Sequence, residues 1–536
     1  MSESNGAQTD GQQAAAAQLE SQMQSLVDEL LAKREHNLKG GGDEKIAKQH
    51  DRGKLTARER LDLLIDDGTF VELGMHGRPH FSQRALDGVD APADGVVTGY
   101  GKVDGRLVCV AAYDFTVMAG SMGYTGEVKL SRVRALALNK RMPMIWLLDS
   151  AGARIQEAVG SLFAGSGHLF REQVTMSGVV PQIAAVMGPC AAGTAYIPAL
   201  TDFLPMVKGQ GSMALAGSHL VKAATGEDVT DEEIGGYKVH NRKSGVADME
   251  CADDAECIQA IKDYLSYMPS HSGEKPPYKA TEDPVERAPD ELLNILPESN
   301  RQPYDMYDLI KLIVDDGEYF DMKGKWAKSI ITCFARMDGR SVGIVANQPK
   351  ALGGILDNDS ADKSARFINL CDAYNIPLIY LQDVPGFMVG SKVEEDGIIR
   401  HGAKMLYATS RATVPKVTIL IRKCYGAGYY VMNGSGYEPD AIYAWPSAEI
   451  SVMGAEGAVN IIGRSIIEAA EDPEAKREEL LAQARKMIDV YLAAGNAMID
   501  DVIDPRETRH CIIRALEMAE NKHIDRPAKK HGVMPV

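Results

Sequence analysis

The chain has 536 residues, 45% of them hydrophobic and 25% charged, and carries a formal net charge of -17. This is the composition of a globular protein with enough apolar surface for two large domains. The acidic balance excludes a general nucleic-acid binder, which needs clustered Lys and Arg, and no apolar run reaches the roughly 18 to 20 residues of a membrane helix.

The eight cysteines form no CxxC pair and no signal peptide precedes them, so a disulfide framework is not expected. A soluble, intracellular protein in a reducing compartment, the cytoplasm, is the expectation.

Residues 1–17 are Gln, Ala, Ser and Gly with almost nothing to bury, and a disordered tail is expected there. From Leu19 the spacing of Met23, Leu26, Val27, Leu30 and Leu31 predicts an amphipathic helix, which the Gly40–Gly42 run ends. Then the chain begins to repeat itself. Asp104-Gly105-Arg106 returns 234 positions later as Asp338-Gly339-Arg340, and Pro143-Met-Ile-Trp-Leu-Leu-Asp149 returns as Pro377-Leu-Ile-Tyr-Leu-Gln-Asp383. The Gly-rich stretch around Ala192-Gly193 returns around Ala427-Gly428, at an offset of 235. An entry motif, Leu64-Ile-Asp-Asp-Gly68, matches Ile313-Val-Asp-Asp-Gly317 at 249, so the first copy carries about 15 extra residues between Gly74 and Asp104.

Within each copy, short apolar runs alternate with helical patterns: Leu107 to Ala112, Met144 to Leu148 and Ile183 to Met187, then Val342 to Ala346, Leu378 to Leu381 and Lys416 to Ile421. This predicts an α/β chain with two tandem βα superhelix domains and mostly parallel strands. Seven prolines between Pro269 and Pro303 mark a linker without regular structure. The expected organisation is a tail at 1–17, a first domain at 18–270, a linker at 271–303 and a second domain at 304–536.

Two turns carry the chemistry. Ile183-Ala-Ala-Val-Met187 runs into Gly188-Pro-Cys-Ala-Ala-Gly-Thr-Ala-Tyr196, and Thr418-Ile-Leu-Ile421 runs into Arg422-Lys-Cys-Tyr-Gly-Ala-Gly-Tyr-Tyr430. Each reads as a strand, a turn of tiny residues and a helix start. A helix start offers unpaired N–H groups, and small residues let a ligand atom approach them, which is how an oxyanion hole is built. The same residues also suit close strand–helix packing, and both readings stay open on the residues alone.

Other catalytic vocabulary is sparse. G-x-S-x-G, H-E-x-x-H and G-x-x-x-x-G-K-[ST] do not occur. His76 and His80 are separated by the helix breaker Pro79, so no metal is expected in this chain. Gly120-x-x-Gly123-x-x-Gly126 lacks dinucleotide spacing, and His401 suits either a base or a structural role on a helix. If backbone amides stabilise an enolate and no side-chain base is evident beside them, the expectation is then that the base arrives with the other substrate.

The sequence resembles the carboxyltransferase (β) subunit of biotin-dependent acyl-CoA carboxylases, the group of propionyl-CoA and methylcrotonyl-CoA carboxylases. The blocks that carry this are Arg52-Gly-Lys-Leu-Thr-Ala-Arg-Glu-Arg60, Asp149-Ser-Ala-Gly-Ala-Arg-Ile-Gln-Glu157, Met187-Gly-Pro-Cys190, Asn347-Gln-Pro-Lys350, Asp383-Val-Pro-Gly-Phe387, Gly397-Ile-Ile-Arg-His-Gly-Ala-Lys404, Trp445-Pro-Ser-Ala-Glu-Ile-Ser-Val-Met-Gly454 and Lys529-Lys-His-Gly-Val-Met-Pro-Val536. The resemblance implies two crotonase-like (ClpP/crotonase) domains, acyl-CoA on the first and biotin on the second, in a homo-hexamer whose sites are shared between two chains. It implies that the amides of Ala192 and Gly193 hold the thioester enolate and those of Ala427 and Gly428 the ureido oxygen of biotin. Gly152, Ala153, Arg154, Cys190 and Ala191 would bind acyl-CoA, while Gly426, Tyr429 and Tyr430 would line the biotin and acyl pocket.

The chain has no Ala-Met-Lys-Met biotin-attachment motif, so by the same resemblance a separate biotin carboxylase / biotin carrier α subunit supplies carboxybiotin. Two other readings remain: the carboxyltransferase component of a biotin-dependent decarboxylase or transcarboxylase, and a non-catalytic copy. The acyl group stays open among propionyl, acetyl and methylcrotonyl types. Gly426-Ala-Gly-Tyr-Tyr430 and Leu220-Val-Lys-Ala-Ala-Thr-Gly226 look closer to the methylcrotonyl branch, the Met-Gly-Pro-Cys and Arg-Ile-Gln-Glu blocks to the propionyl branch.

Overall fold

The computed structural model describes residues 6–80 and 84–536. Residues 1–5 of the expected tail and 81–83 of the first-copy insertion lie outside them. The first helix spans Gly6–Leu38, so it takes in residues 6–17, where composition predicts a disordered tail. The Ala14–Ala17 run accounts for the difference: alanine has the highest helix propensity and extends the helix towards its N-terminus.

Two eight-stranded sheets follow, built to one plan. The first holds β1 (Val71–Glu72), β2 (Val96–Val103), β3 (Arg106–Tyr113), β4 (Met144–Ser150), β5 (Gln182–Ala191), β6 (Pro205–Val207), β7 (Ser212–Ala214) and β8 (Met249–Cys251) in the order 1-2-3-4-5-6-8, with β7 beside β5. The second holds β9 (Tyr319–Asp321), β10 (Ile330–Met337), β11 (Arg340–Asn347), β12 (Leu378–Val384), β13 (Lys416–Tyr425), β14 (Ala441–Ala444), β15 (Glu449–Ser451) and β16 (Asp501–Val502), with β15 beside β13. The pairing is parallel except in the opening meanders β1-β2-β3 and β9-β10-β11. This is the crotonase-like fold.

The 234-residue offset is a structural register. Cys109 faces Met144 as Gly343 faces Leu378, and both β4 and β12 slip against their neighbours at the same point, where Ser150 faces Cys190 and Val384 faces Cys424. β4 and β12 are buried along their whole length, which is why they read as continuous apolar runs. The helices Tyr124–Lys140 and Asn358–Ala373 also correspond. Each docks through a buried lysine aimed at backbone carbonyls: Lys129 Nζ donates to Ala93 and Val96 at 2.8 and 2.6 Å, Lys363 Nζ to Lys323, Trp326 and Ile330 at 3.0, 3.1 and 2.8 Å. Burial pushes both ammonium groups down to about 8.

One core spans both halves. Tyr264, on the helix Asp254–Tyr267, stacks on Phe203 at 4.6 Å and meets Phe320 and Phe334 of the second half. The proline-rich segment between the sheets contains one short helical turn, Asp290–Asn294.

Candidate active site

Each turn begins where the longest strand of its sheet ends. After β5, Ala192 takes a left-handed conformation (φ 55°) and opens a short helical stretch, Ala192–Ala195, continued by Tyr196–Ala199. After β13, Gly426 takes the same conformation (φ 58°) and opens the helix Gly426–Val431. First-turn N–H groups have no intrahelical acceptor, so both turns present donors.

The register corrects the matching of the two turns by one residue. Cys190 pairs with Met213 as Cys424 pairs with Ile450, so the 234 offset persists to the end of the strand. Ala192 therefore corresponds to Gly426, Gly193 to Ala427 and Thr194 to Gly428. The letters Ala-Gly recur at 235, but the left-handed residue recurs at 234, and the φ angle decides where the amides lie. Ala427 belongs to the second turn in either alignment. Ala192 and Ala427 are exposed, Gly193 and Gly426 half-buried, Thr194 and Gly428 buried.

The two glycines that sequence reading places in these turns do different work. A Cβ on Gly193 would meet nothing within 4 Å, so packing within the chain does not require glycine there. A Cβ on Gly428 would lie 2.7 Å from Val384 Cγ2, so Gly428 is required by packing against β12.

Behind each turn sits a loop from the preceding strand. Gly152 (φ 98°) brings its loop against the first turn, where a Cβ would lie 2.8 Å from the Ala191 carbonyl oxygen. Its counterpart Gly386 (φ 126°) lies beside the Tyr425 carbonyl. Each loop starts at a fully buried aspartate. Asp149 is held by Lys54 Nζ at 2.7 Å, Arg60 Nη1 at 3.0 Å and Gln49 Nε2 at 2.9 Å. Asp383 is held by Arg422 Nε at 3.0 Å and the Lys423 N–H at 3.1 Å, with burial still raising its affinity for a proton.

The source of the countercharge differs between the copies. Gly188 occupies the position of Arg422, and a Cβ there would lie 1.9 Å from Asp149 Oδ1 and 2.7 Å from Lys54 Nζ. In the first copy the cation thus comes from the N-terminal segment, in the second from the strand itself. In the sequence the blocks holding Lys54, Arg60 and both aspartates carry no local sign of this pairing; the recurrence of Asp149 as Asp383 is the signal of it.

Two residues expected to bind acyl-CoA face inward. Arg154 is 1% exposed and is committed to Asp94 Oδ1 at 2.5 Å and Glu157 Oε1 at 3.2 Å, because a guanidinium buried beside carboxylates pairs with them. Cys190 is also 1% exposed, its Sγ donates to the Thr194 carbonyl at 3.1 Å, and burial pushes the thiol up to about 12. Both shape the loops rather than offer a side chain to a ligand. Ala153 and Ala191 are half-buried at the surface of the same loops.

At the second turn, the Tyr429 hydroxyl bonds Ser435 at 3.2 Å, while Tyr430 is half-exposed and stacks on Tyr437 with centroids 6.2 Å apart. His401 is engaged at both ring nitrogens: Nδ1 lies 2.9 Å from Asp362 Oδ1 and 3.2 Å from Lys404 Nζ, and Nε2 lies 3.3 Å from Arg400 Nη2. Two cavities of about 660 and 620 Å³ lie elsewhere, one lined by Tyr267 and Arg336, the other by Tyr374 and Arg366, and neither includes a residue of either turn. Both turns are open to the surface, each packed against elements of its own half.

Residues 48–534 match the family model described as a carboxyl transferase domain. The propionyl-CoA carboxylase carboxyltransferase subunit of Haloferax mediterranei is 47% identical over 96% of this chain and all of that relative. The methylmalonyl-CoA decarboxylase subunit alpha of Veillonella parvula is 46% identical over 95% of this chain and 98% of that relative. Among solved structures, transcarboxylase 12S, a hexamer assembly with methylmalonyl-coenzyme A and methylmalonic acid bound, superposes with a TM-score of 0.92 at 46% identity, covering 95% of this chain and 98% of that one.

Proposed function

The chain belongs to the carboxyl transferase family as a biotin-dependent acyl-CoA carboxyltransferase, and from that premise we propose that it moves a carboxyl group between biotin on a partner subunit and the α carbon of propionyl-CoA. The observation that carries this reading is the pair of equivalent, surface-open helix starts at Ala192-Gly193 and Gly426-Ala427, one in each copy.

In this reading the first domain binds acyl-CoA and the second binds biotin. The amides of Ala192 and Gly193 stabilise the enolate oxygen of the thioester. Those of Ala427 and Gly428, with Gly426 turning the chain, take the ureido oxygen of biotin. The second turn fits such a carbonyl: Ala427 is exposed, and the left-handed Gly426 has room for no side chain without pressing on the Val452 carbonyl, 3.2 Å from a Cβ. Carboxybiotin, when bound, supplies both the CO2 and the base for the α-proton. The chain's own part is electrostatic: fixed N–H dipoles at the position where negative charge develops, each typically worth about 3 kcal/mol in the transition state. Gly152 and Ala153 form the acyl side of the cleft with Ala191, and buried Arg154 fixes their loop. Compared relatives run this half-reaction in carboxylase, decarboxylase and transcarboxylase settings. The shared half-reaction is therefore the core of the proposal, and co-purification with an ATP-dependent biotin carboxylase would assign the carboxylase setting.

Tyr430 is proposed to set acyl-chain size. Replacing it with alanine should raise kcat/KM for acyl-CoAs longer than propionyl relative to propionyl-CoA by about tenfold, the scale of one or two methylene contacts in a pocket. An unchanged ratio across a chain-length series would remove Tyr430 from the pocket.

A shared site also requires assembly. Ile155 and its counterpart Val389, which follow the two turn-supporting loops, are 66% and 86% exposed, leaving apolar surface beside both turns for another copy to cover. Sedimentation is expected to show a hexamer, and a fully active monomer would contradict this arrangement.

A further inference from the structure

We propose that Thr194 is a positioning residue whose hydroxyl holds the first turn in its donor-presenting conformation. The inference rests on the oxyanion reading of that turn and adds the device that keeps it in shape.

Ala192 sits at φ 55°, a region L residues with a Cβ avoid, and the second copy places Gly426, which has no Cβ, at the same point. Something must hold Ala192 where glycine would sit freely. Thr194 Oγ1 is buried and donates to the Ala191 carbonyl at 2.7 Å, spanning the strained residue from one side to the other. Cys190 Sγ donates to the Thr194 carbonyl at 3.1 Å, closing a second link across the same segment. The second copy has no counterpart to the hydroxyl bond, since Gly428 stands where Thr194 does. The copies have therefore solved one geometric problem in two ways: glycine at the left-handed position in one, alanine with a threonine latch in the other. If the latch opens, Ala192 relaxes towards negative φ and rotates the Ala192 and Gly193 amides away from the bound oxygen.

The test uses the intact oligomer and free-biotin-dependent decarboxylation of methylmalonyl-CoA. Thr194→Val, nearly isosteric but without the hydroxyl, should lower kcat about tenfold with KM little changed, whereas Thr194→Ser should retain wild-type kcat. Adding Ala192→Gly to Thr194→Val should recover part of the lost kcat, because the conformation no longer needs holding. Thr194→Val with wild-type kcat, or a Thr194→Ser defect as large as the valine's in a folded oligomer, would overturn the latch. Gly193→Val separates the two ideas: if it is inactive while Thr194→Val is unaffected, only the latch fails, and if Gly193→Val is fully active the oxyanion reading fails with it.

Discussion

Gly193→Val is expected to lower free-biotin-dependent decarboxylation of methylmalonyl-CoA by about a hundredfold or more, the loss typical of removing one oxyanion donor, while leaving the thermal midpoint unchanged. The two halves of this expectation have separate origins. A Cβ at 193 meets no protein atom within 4 Å, so the added side chain starts into open space rather than into the core. The valine side chain instead fills the space through which an acceptor must approach the helix-opening amides. Gly428→Ala gives the opposite pattern: its Cβ presses on Val384 Cγ2 and the Gly386 Cα, so stability should fall by 1–3 kcal/mol along with activity. Measuring kcat and the unfolding midpoint on both variants distinguishes a glycine kept for a ligand from one kept for packing. Full activity in a folded Gly193→Val protein would mean that no ligand oxygen uses this turn.

The second large effect concerns the buried aspartates. Asp149→Ala is expected to destabilise the first half by about 3–5 kcal/mol, because Lys54 and Arg60 would be left buried with one of their carboxylates gone. Arg60 retains Asp254 at 2.8 Å, whereas burial already pulls the Lys54 ammonium below its ordinary range against the attraction of Asp149, so Lys54 is the group left most exposed to the loss. Asp383→Ala should act on the second half in the same way through Arg422, which is 2% exposed. Denaturant unfolding followed by the fluorescence of single-tryptophan variants, with Trp326 replaced and either Trp146 of the first half or Trp445 of the second retained, would locate each effect. A loss under 1 kcal/mol at both positions would show that these carboxylates do not hold the strand ends.

Much of this was legible in the sequence, for identifiable reasons. The duplication was visible because strand-end landmarks such as Asp149 and Asp383 must recur where the backbone recurs, and the strands before them were visible because burial on both faces makes Met144 to Leu148 and Leu378 to Leu381 continuous apolar runs. The turns were visible as runs of tiny residues. Their alignment was off by one because letters were matched, Ala-Gly to Ala-Gly, where the conserved quantity is a left-handed φ that alanine adopts in one copy and glycine in the other. Lys54 and Arg60 were not legible as partners of Asp149, since nothing local links residues about 90 apart, and Gly188 reveals its role only when the space beside it is seen to hold Lys54. Arg154 and Cys190 read as ligand contacts from motif position, but the direction of a side chain is set by tertiary packing, and both point into the protein.

The most direct test of two turns acting on one reaction is complementation between inactive subunits. Gly193→Val and Ala427→Val chains, each inactive alone, would be co-expressed in equal amounts and the mixed hexamers assayed for free-biotin-dependent decarboxylation. If the first turn of one chain meets the second turn of its partner, activity should return to about a quarter of wild type, the statistical share for a site split across a two-fold interface. Mixed hexamers that remain inactive would contradict the account.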